Sequence, residues 1–171
     1  GQAGRSHVIV YAGLHDDIIA ASRDDAARQR HEALRLVSVS VMAPHKGIET
    51  VLEALALLRD RLGVMADLHL VGGWPDAGYE AAIRAQVGAL GLSEAVHIHG
   101  FVSRQDLLDH YARASAFCLM SRCESFGIPA VEAQSFGTPV VSSNCCAIPE
   151  VCGDGGMYPA PTDAAGAAEA L

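Results

Sequence analysis

The chain has 171 residues, half of them hydrophobic, which suits one globular domain with a sizeable core. Its formal net charge of −8, from 12 basic and 20 acidic side chains, argues against nucleic acid as a partner, because phosphate backbones are met by clustered lysine and arginine. No apolar run approaches the roughly 18 residues that cross a bilayer, and the N-terminal stretch Gly1 to His7 lacks the basic, apolar and small segments of a secretion signal.

Residues 8 to 11 are a short apolar segment, and the next twenty or so are polar and charged, which reads as a linker or a surface helix. From Leu34 onward strands and helices alternate. Leu36 to Val41 reads as a first strand, followed by the turn Ala43-Pro44-His45-Lys46-Gly47 and a helix from about Ile48. On that helix Ile48, Val51, Leu52, Leu55 and Leu58 form one apolar stripe, the signature of core packing. Lys46 stands where the strand turns into the helix. A cation there opposes the helix dipole, so its position makes most sense with an anion bound; a solvated surface lysine is the other reading.

Asp67 to Val71 reads as a second strand running into Gly72-Gly73-Trp74-Pro75, where two glycines let a ligand approach backbone amides. A helix from about Gly78 to Leu90 ends at Gly91, and Val96 to His99 is a third strand that leads into Gly100-Phe101-Val102. Ser103 is placed to cap a helix reaching about Arg113, with Asp106 in its first turn. Ala116 to Met120 is an apolar run of the length a buried parallel strand takes.

The stretch Glu124 to Glu132 organises the rest. It places two carboxylates eight residues apart across a Ser125-Phe126-Gly127-Ile128-Pro129 break that reads as a helix start, since proline suits the first turn. Backbone N–H groups around Gly127 and Ile128 offer an anion site. Carboxylates are acceptor-only groups suited to pairs of sugar or ribose hydroxyls. The other reading makes Glu124 a helix cap and Glu132 a solvated face residue. Pro139 to Ser142 is a further strand, residues 143 to 151 a loop with one helical turn, Gly153 to Gly156 a turn cluster, and Met157-Tyr158 a last short strand. Thr162 is placed to cap an alanine-rich helix from about Asp163, on which the chain stops as a fragment would.

Five cysteines, Cys118, Cys123, Cys145, Cys146 and Cys152, show no paired zinc-ligand spacing. Cys118 reads as a small core hydrophobe and the others as reduced thiols of a cytosolic protein. Among eight histidines, His97 and His99 share one strand face, but with no third ligand nearby in the sequence they read as ordinary strand residues. No metal is expected.

Alternation of this kind forces a parallel sheet covered on both faces, so an α/β, Rossmann-like, doubly wound domain is expected over residues 34–171, with 1–33 as an interdomain or terminal segment. Lys46, Gly72-Gly73, Gly100-Phe101 and Glu124 to Glu132 all fall at carboxyl ends of predicted strands, where open α/β sheets gather ligands. That convergence points to one phosphate-bearing ligand.

Taken together, these motifs resemble the C-terminal, donor-binding half of retaining GT-B glycosyltransferases, the group 1 family that includes bacterial mannosyl- and glucosyltransferases and glycogen synthase. The resemblance runs from roughly Leu36 to Leu171 and rests on Pro44 to Gly47, Leu70 to Gly73, His99 to Ser103, Glu124 to Glu132, Gly137 to Val141 and Gly153 to Gly156. Residues 8 to 17 are also similar to the family's interdomain strand and turn. The resemblance implies a nucleotide-diphosphate sugar as donor, such as GDP-mannose or a UDP-hexose. It implies that Glu124 accepts bonds from the donor sugar and Glu132 from the ribose. Ser125, Phe126, Gly127 and Ile128 would hold the diphosphate or sugar, with Lys46 neutralising phosphate. Gly100, Phe101 and Val102 would border the base, and Gly72 and Gly73 would admit the nucleotide. Where the family carries an arginine five residues before the lysine, this chain has Val41; His45, when protonated, and Arg122 are the candidates to replace it. The family needs no metal or other cofactor for transfer. It implies as partners the chain's own N-terminal acceptor domain, without which this piece would be inactive, and a cytoplasmic setting with peripheral membrane contact through that domain. Two other readings stay open: a sugar-nucleotide epimerase of the same fold, and a non-catalytic binding or assembly module.

Overall fold

A computed structural model describes residues 14–22 and 34–171. The polar N-terminal segment yields a helix, α1 (Asp16–Ser22), whose Ile18 is fully buried, so this stretch contributes to the core and is more than a surface linker. The expected strand at residues 8 to 11 and the segment 23–33 lie outside the described residues.

The strands are β1 (Leu34–Val39), β2 (Ala66–Val71), β3 (Val96–Gly100), β4 (Ala116–Leu119), β5 (Val140–Ser142) and β6 (Gly156–Met157). All pair in parallel in the order β3-β2-β1-β4-β5-β6. Short, continuous apolar strands such as Ala116 to Leu119, buried at every position, need cover on both faces. The helices provide it. After β1 and β2 come α2 (Ile48–Leu62) and α3 (Ala77–Ala89), which pack together and, with α7 (Ala164–Ala170), cover one face. After β3 the chain returns past β1 to form β4, and right-handed crossovers then put α4 (Arg104–Arg113) and α5 (Ile128–Ser135) on the opposite face, where α1 packs against both. The short α6 (Ile148–Cys152) lies against α5.

Local chemistry explains the boundaries. The stripe Ile48, Val51, Leu52, Leu55 and Leu58 of α2 is at most 2% exposed, and each such leucine contributes about 1.5–3 kcal/mol on burial. Ser103 caps α4 by accepting the Asp106 N–H, as its position predicts. The cap of α7 is Asp163, whose carboxylate accepts the Gly166 N–H, rather than Thr162; the charged acceptor is favoured at a helix N-terminus. β1 starts two residues earlier than its apolar run because Leu34 and Arg35 pair with Ala66 and Asp67.

Candidate functional site

Strand order places the site. Between β1 and β4 the chain changes direction across the sheet, and the loops leaving the carboxyl ends of those two strands diverge to opposite faces, opening a crevice. One wall is the loop from Ser40 to Gly47, with a short 3-10 turn at Pro44–Lys46; the other is Met120 to Gly127, which enters α5. Gly47 is left-handed at φ +65°, and a side chain there would collide with the carbonyl of Met120, so glycine lets the two walls touch. The Arg122 N–H donates to the His45 carbonyl at 2.7 Å, and its guanidinium donates to the Pro44 carbonyl at 3.3 Å.

Across this crevice Lys46 Nζ donates to Glu124 Oε2 at 2.5 Å, with both side chains largely shielded from solvent. A charge-assisted bond of this length holds both groups in place. Glu124 does not cap α5. Gly127, left-handed at φ +76°, occupies the N-cap position, and no side-chain bond caps the helix, so its first turn is presented beside the Lys46–Glu124 pair. Ser125 and Ile128 are exposed there, and His45 is exposed on the facing turn.

The glycine-bearing loops form the neighbouring part of the site. Val39, Ser40, Val41, Gly72, Gly73, Phe101, Val102 and Leu107 line a largely apolar cavity of about 200 Å³. The Gly72 N–H donates to the Gly100 carbonyl at 2.8 Å and the Met42 N–H to the Gly73 carbonyl at 2.9 Å, tying the three strand ends together. The Phe101 ring lies against Gly73 yet is 87% exposed, an unusual state for a large aromatic unless a flat partner covers it. Val41, also exposed, contributes apolar wall here.

Glu132 is buried, which rules out the solvated-face reading. Its Oε2 accepts the Tyr111 hydroxyl at 2.8 Å, and its Oε1 lies 3.8 Å from Arg104, which is itself clamped by both oxygens of Asp17 at 2.7 and 3.0 Å. Burial, reinforced by Glu132, pushes the Tyr111 hydroxyl well above its ordinary pKa, so it remains a donor. Lys46 and Glu124 are therefore brought into direct contact, the glycine loops and Phe101 line one cavity, and Glu132 is held from behind by α4. Tyr111, Arg104 and Asp17 were not singled out from the sequence; nothing in their spacing relative to Glu132 announces the contact.

Five cysteines are free, with Cys118 and Cys152 buried. Cys145 and Cys146 adjoin the crevice: Cys145 Sγ donates to the Arg122 carbonyl at 3.1 Å and lies 3.3 Å from Cys146 Sγ. A hydrogen bond from the Glu124 backbone is the leading cause that lowers the Cys146 thiol below its usual pKa.

A sheet of this order with its polar residues gathered at one switch point defines a Rossmann-like half of the GT-B fold, and the comparisons with known proteins agree. The family described as group 1 glycosyl transferases matches residues 22–171, and the chain belongs to it. Among its relatives, the O-antigen chain mannosyltransferase B of Escherichia coli is 37% identical over 128 residues, covering 73% of this chain and 32% of that protein. The MMP alpha-(1->4)-mannosyltransferase of Mycolicibacterium hassiacum is 36% identical over 129 residues, covering 75% of this chain and 30% of the relative. The chain thus spans about a third of the length of these relatives. A crystal structure of a glycosyltransferase from Rickettsia africae superposes with a TM-score of 0.82 at 19% identity, over 95% of this chain and 45% of that one. Anabaena HepE, solved with UDP and glucose, superposes at 0.71 with 25% identity, over 91% and 42%.

Proposed function

We propose that this domain binds a nucleotide-diphosphate sugar and, with an acceptor domain from the same polypeptide, transfers the glycosyl group with retention of configuration. The observation that carries the reading is the Lys46–Glu124 pair spanning the switch point beside the uncapped start of α5. Donor binding parts that pair: Lys46 turns to the diphosphate and Glu124 accepts hydroxyls of the sugar. The amides of Phe126, Gly127 and Ile128 face the same anion. As the glycosyl bond breaks, negative charge grows on the leaving diphosphate, and fixed positive groups aimed at it lower the barrier. Arg122, laid along the Pro44–Lys46 turn, supplies the second cation that position 41 lacks. The apolar cavity beside Val41 takes the base, with Phe101 stacking on it, and Glu132 accepts the ribose hydroxyls through the oxygen that Tyr111 leaves available. No metal or cofactor takes part in the transfer. The mannosyltransferase relatives and the UDP-bound HepE support GDP-mannose or a UDP-hexose as donor.

A non-catalytic binding module is the second reading, favoured by Val41 in place of a cation. Transfer of radiolabelled sugar by the full-length polypeptide, with and without Glu124→Ala, separates the two. Loss of transfer in the variant supports the assignment; unchanged transfer removes Glu124 from it, and no transfer by the unmutated protein favours the module.

A further inference from the structure

Four histidines that the donor reading leaves unused meet on one face of the sheet. His69 comes from β2, His97 and His99 from β3, and His110 from α4. Register pairs His69 with His97, so both rings leave the sheet on the same side, and the i, i+2 spacing puts His99 there too. Ring centroids are 5.1 Å apart for His69 and His99 and 4.6 Å for His99 and His110.

Hydrogen bonds show where the lone pairs point. The terminal Nη2 of Arg35 lies 3.4 Å from His69 Nδ1 and 3.2 Å from His110 Nδ1. A guanidinium has only donors, so both Nδ1 atoms are its acceptors, the single lone pair of His69 Nδ1 being shared between Arg35 and the nearer His99 Nε2. His99 Nε2, 2.8 Å from His69 Nδ1, is then the donor of that pair. This ring is exposed and exchanges its proton with solvent, which frees Nε2 when the proton moves to its own Nδ1. Ligand-capable nitrogens of His69, His99 and His110 all lie within 4.8 Å of one another. The present occupant is incompletely satisfied, because Arg35 Nε is buried without a hydrogen-bond partner. Beside it opens a cavity of about 300 Å³ lined by Arg35, His99, His110, Arg113 and the carboxylates of Asp106 and Asp109, which gives the guanidinium somewhere to go.

We propose that His69, His99 and His110 form a binding site for a divalent transition metal of the zinc class, which takes the place now held by the Arg35 head group. Imidazole donors suit zinc, cobalt, nickel and copper, and a site with three nitrogens and an open fourth position is a familiar zinc arrangement. With metal–nitrogen distances of about 2.0–2.1 Å, tetrahedral ligands sit about 3.3 Å apart, so the His69 and His99 rings, now facing each other nitrogen to nitrogen, turn toward the metal as it displaces Arg35. All three imidazoles bind in neutral form: the only proton that moves passes between the two nitrogens of His99. The metal would tie β2, β3 and α4 together. The site is separate from the donor cleft, although Val102 borders both cavities, and it is independent of the transfer chemistry.

Equilibrium dialysis of the untagged chain against zinc chloride tests the site, with cobalt as a spectroscopic probe. One zinc per chain is expected, with affinity reduced tenfold or more in His99→Ala, a ligand whose exposure lets the variant fold. Arg35→Met should tighten binding by removing the competing cation. Binding should persist in the Cys123→Ser, Cys145→Ser, Cys146→Ser variant, and the cobalt spectrum should carry no thiolate charge-transfer band. Absence of bound zinc, unchanged affinity in His99→Ala or in Arg35→Met, or loss of binding in the cysteine variant would each overturn the proposal.

Discussion

Tyr111 and Glu132 meet in a buried contact that does two things at once. The carboxylate gives a buried hydroxyl its acceptor, and the hydroxyl fixes the orientation of the carboxylate. Glu132→Ala should lower stability by about 1–3 kcal/mol, because it strands the tyrosine hydroxyl. Glu132→Gln keeps an acceptor and should hold stability nearly constant in urea melts while weakening nucleoside diphosphate binding. Normal binding by Glu132→Gln would make the residue purely structural. Asp17 gives a second residue-level expectation. Its hydrogen bond with Arg104 holds its carboxyl down to about 2, against an ordinary 3.8. The folded-state value lies below the unfolded one, so the stabilisation is complete above the ordinary value and is lost as pH falls through about 2. Carboxyl NMR should find Asp17 titrating near that low value, and Arg104→Gln should return it to the ordinary range; an Asp17 that already titrates normally would mean the pair is absent in solution.

Among elements, the turn from β1 into α2 carries the most consequence, because Gly47 sets how closely the two crevice walls approach. Gly47→Ala forces a left-handed alanine, worth about 1–2 kcal/mol, and drives its Cβ into the Met120 carbonyl. Gly63 ends α2 at nearly the same φ of +66° but has open space around it. Chemical denaturation should therefore show Gly63→Ala losing only the conformational cost and Gly47→Ala losing clearly more, along with nucleotide binding. Equal losses would show that the wall contact is unimportant. Most elements were legible in the sequence for physical reasons: the strands are short apolar runs, α2 carries its stripe, and Ser103 and Pro129 mark helix starts. Contacts between elements were not. His97 and His99 lack a third imidazole in sequence, yet His69 and His110 arrive from β2 and α4. Nothing local to Glu132 decides between a hydroxyl-binding carboxylate and a solvated helix face, and burial in the packing of α4 on α5 removes the second. The shared place of Lys46 and Glu124 on one sheet edge was, by contrast, legible, because both stand where predicted strands end.

For the molecule as a whole, the doubly wound topology turns six strand ends into one ligand-facing edge, with the direction change between β1 and β4 at its centre. α1 belongs to this unit: Ile18 is wholly buried, and Asp17 connects through Arg104 to the neighbourhood of Glu132. Ile18→Ala should cost about 2–5 kcal/mol in a thermal or urea melt, the range for a large-to-small change in a packed core. A cost under a few tenths would show that α1 detaches in solution. No helix among the described residues is long and apolar enough to cross a membrane. The crevice and its adjoining cavity join positive charge, carboxylate acceptors and an aromatic face on one edge of the sheet.

The most direct measurement is calorimetric titration of this chain with UDP, GDP, ADP and CDP, their common sugar conjugates and the four parent nucleosides, repeated on Lys46→Met and Glu132→Gln. The account predicts that one base is preferred, that Lys46→Met weakens the diphosphate roughly tenfold or more while leaving the nucleoside unaffected, in line with the loss of a charge-assisted contact, and that Glu132→Gln weakens both. Binding that is indifferent to both substitutions, or no binding by any nucleotide, would contradict a donor site at the β1–β4 switch point.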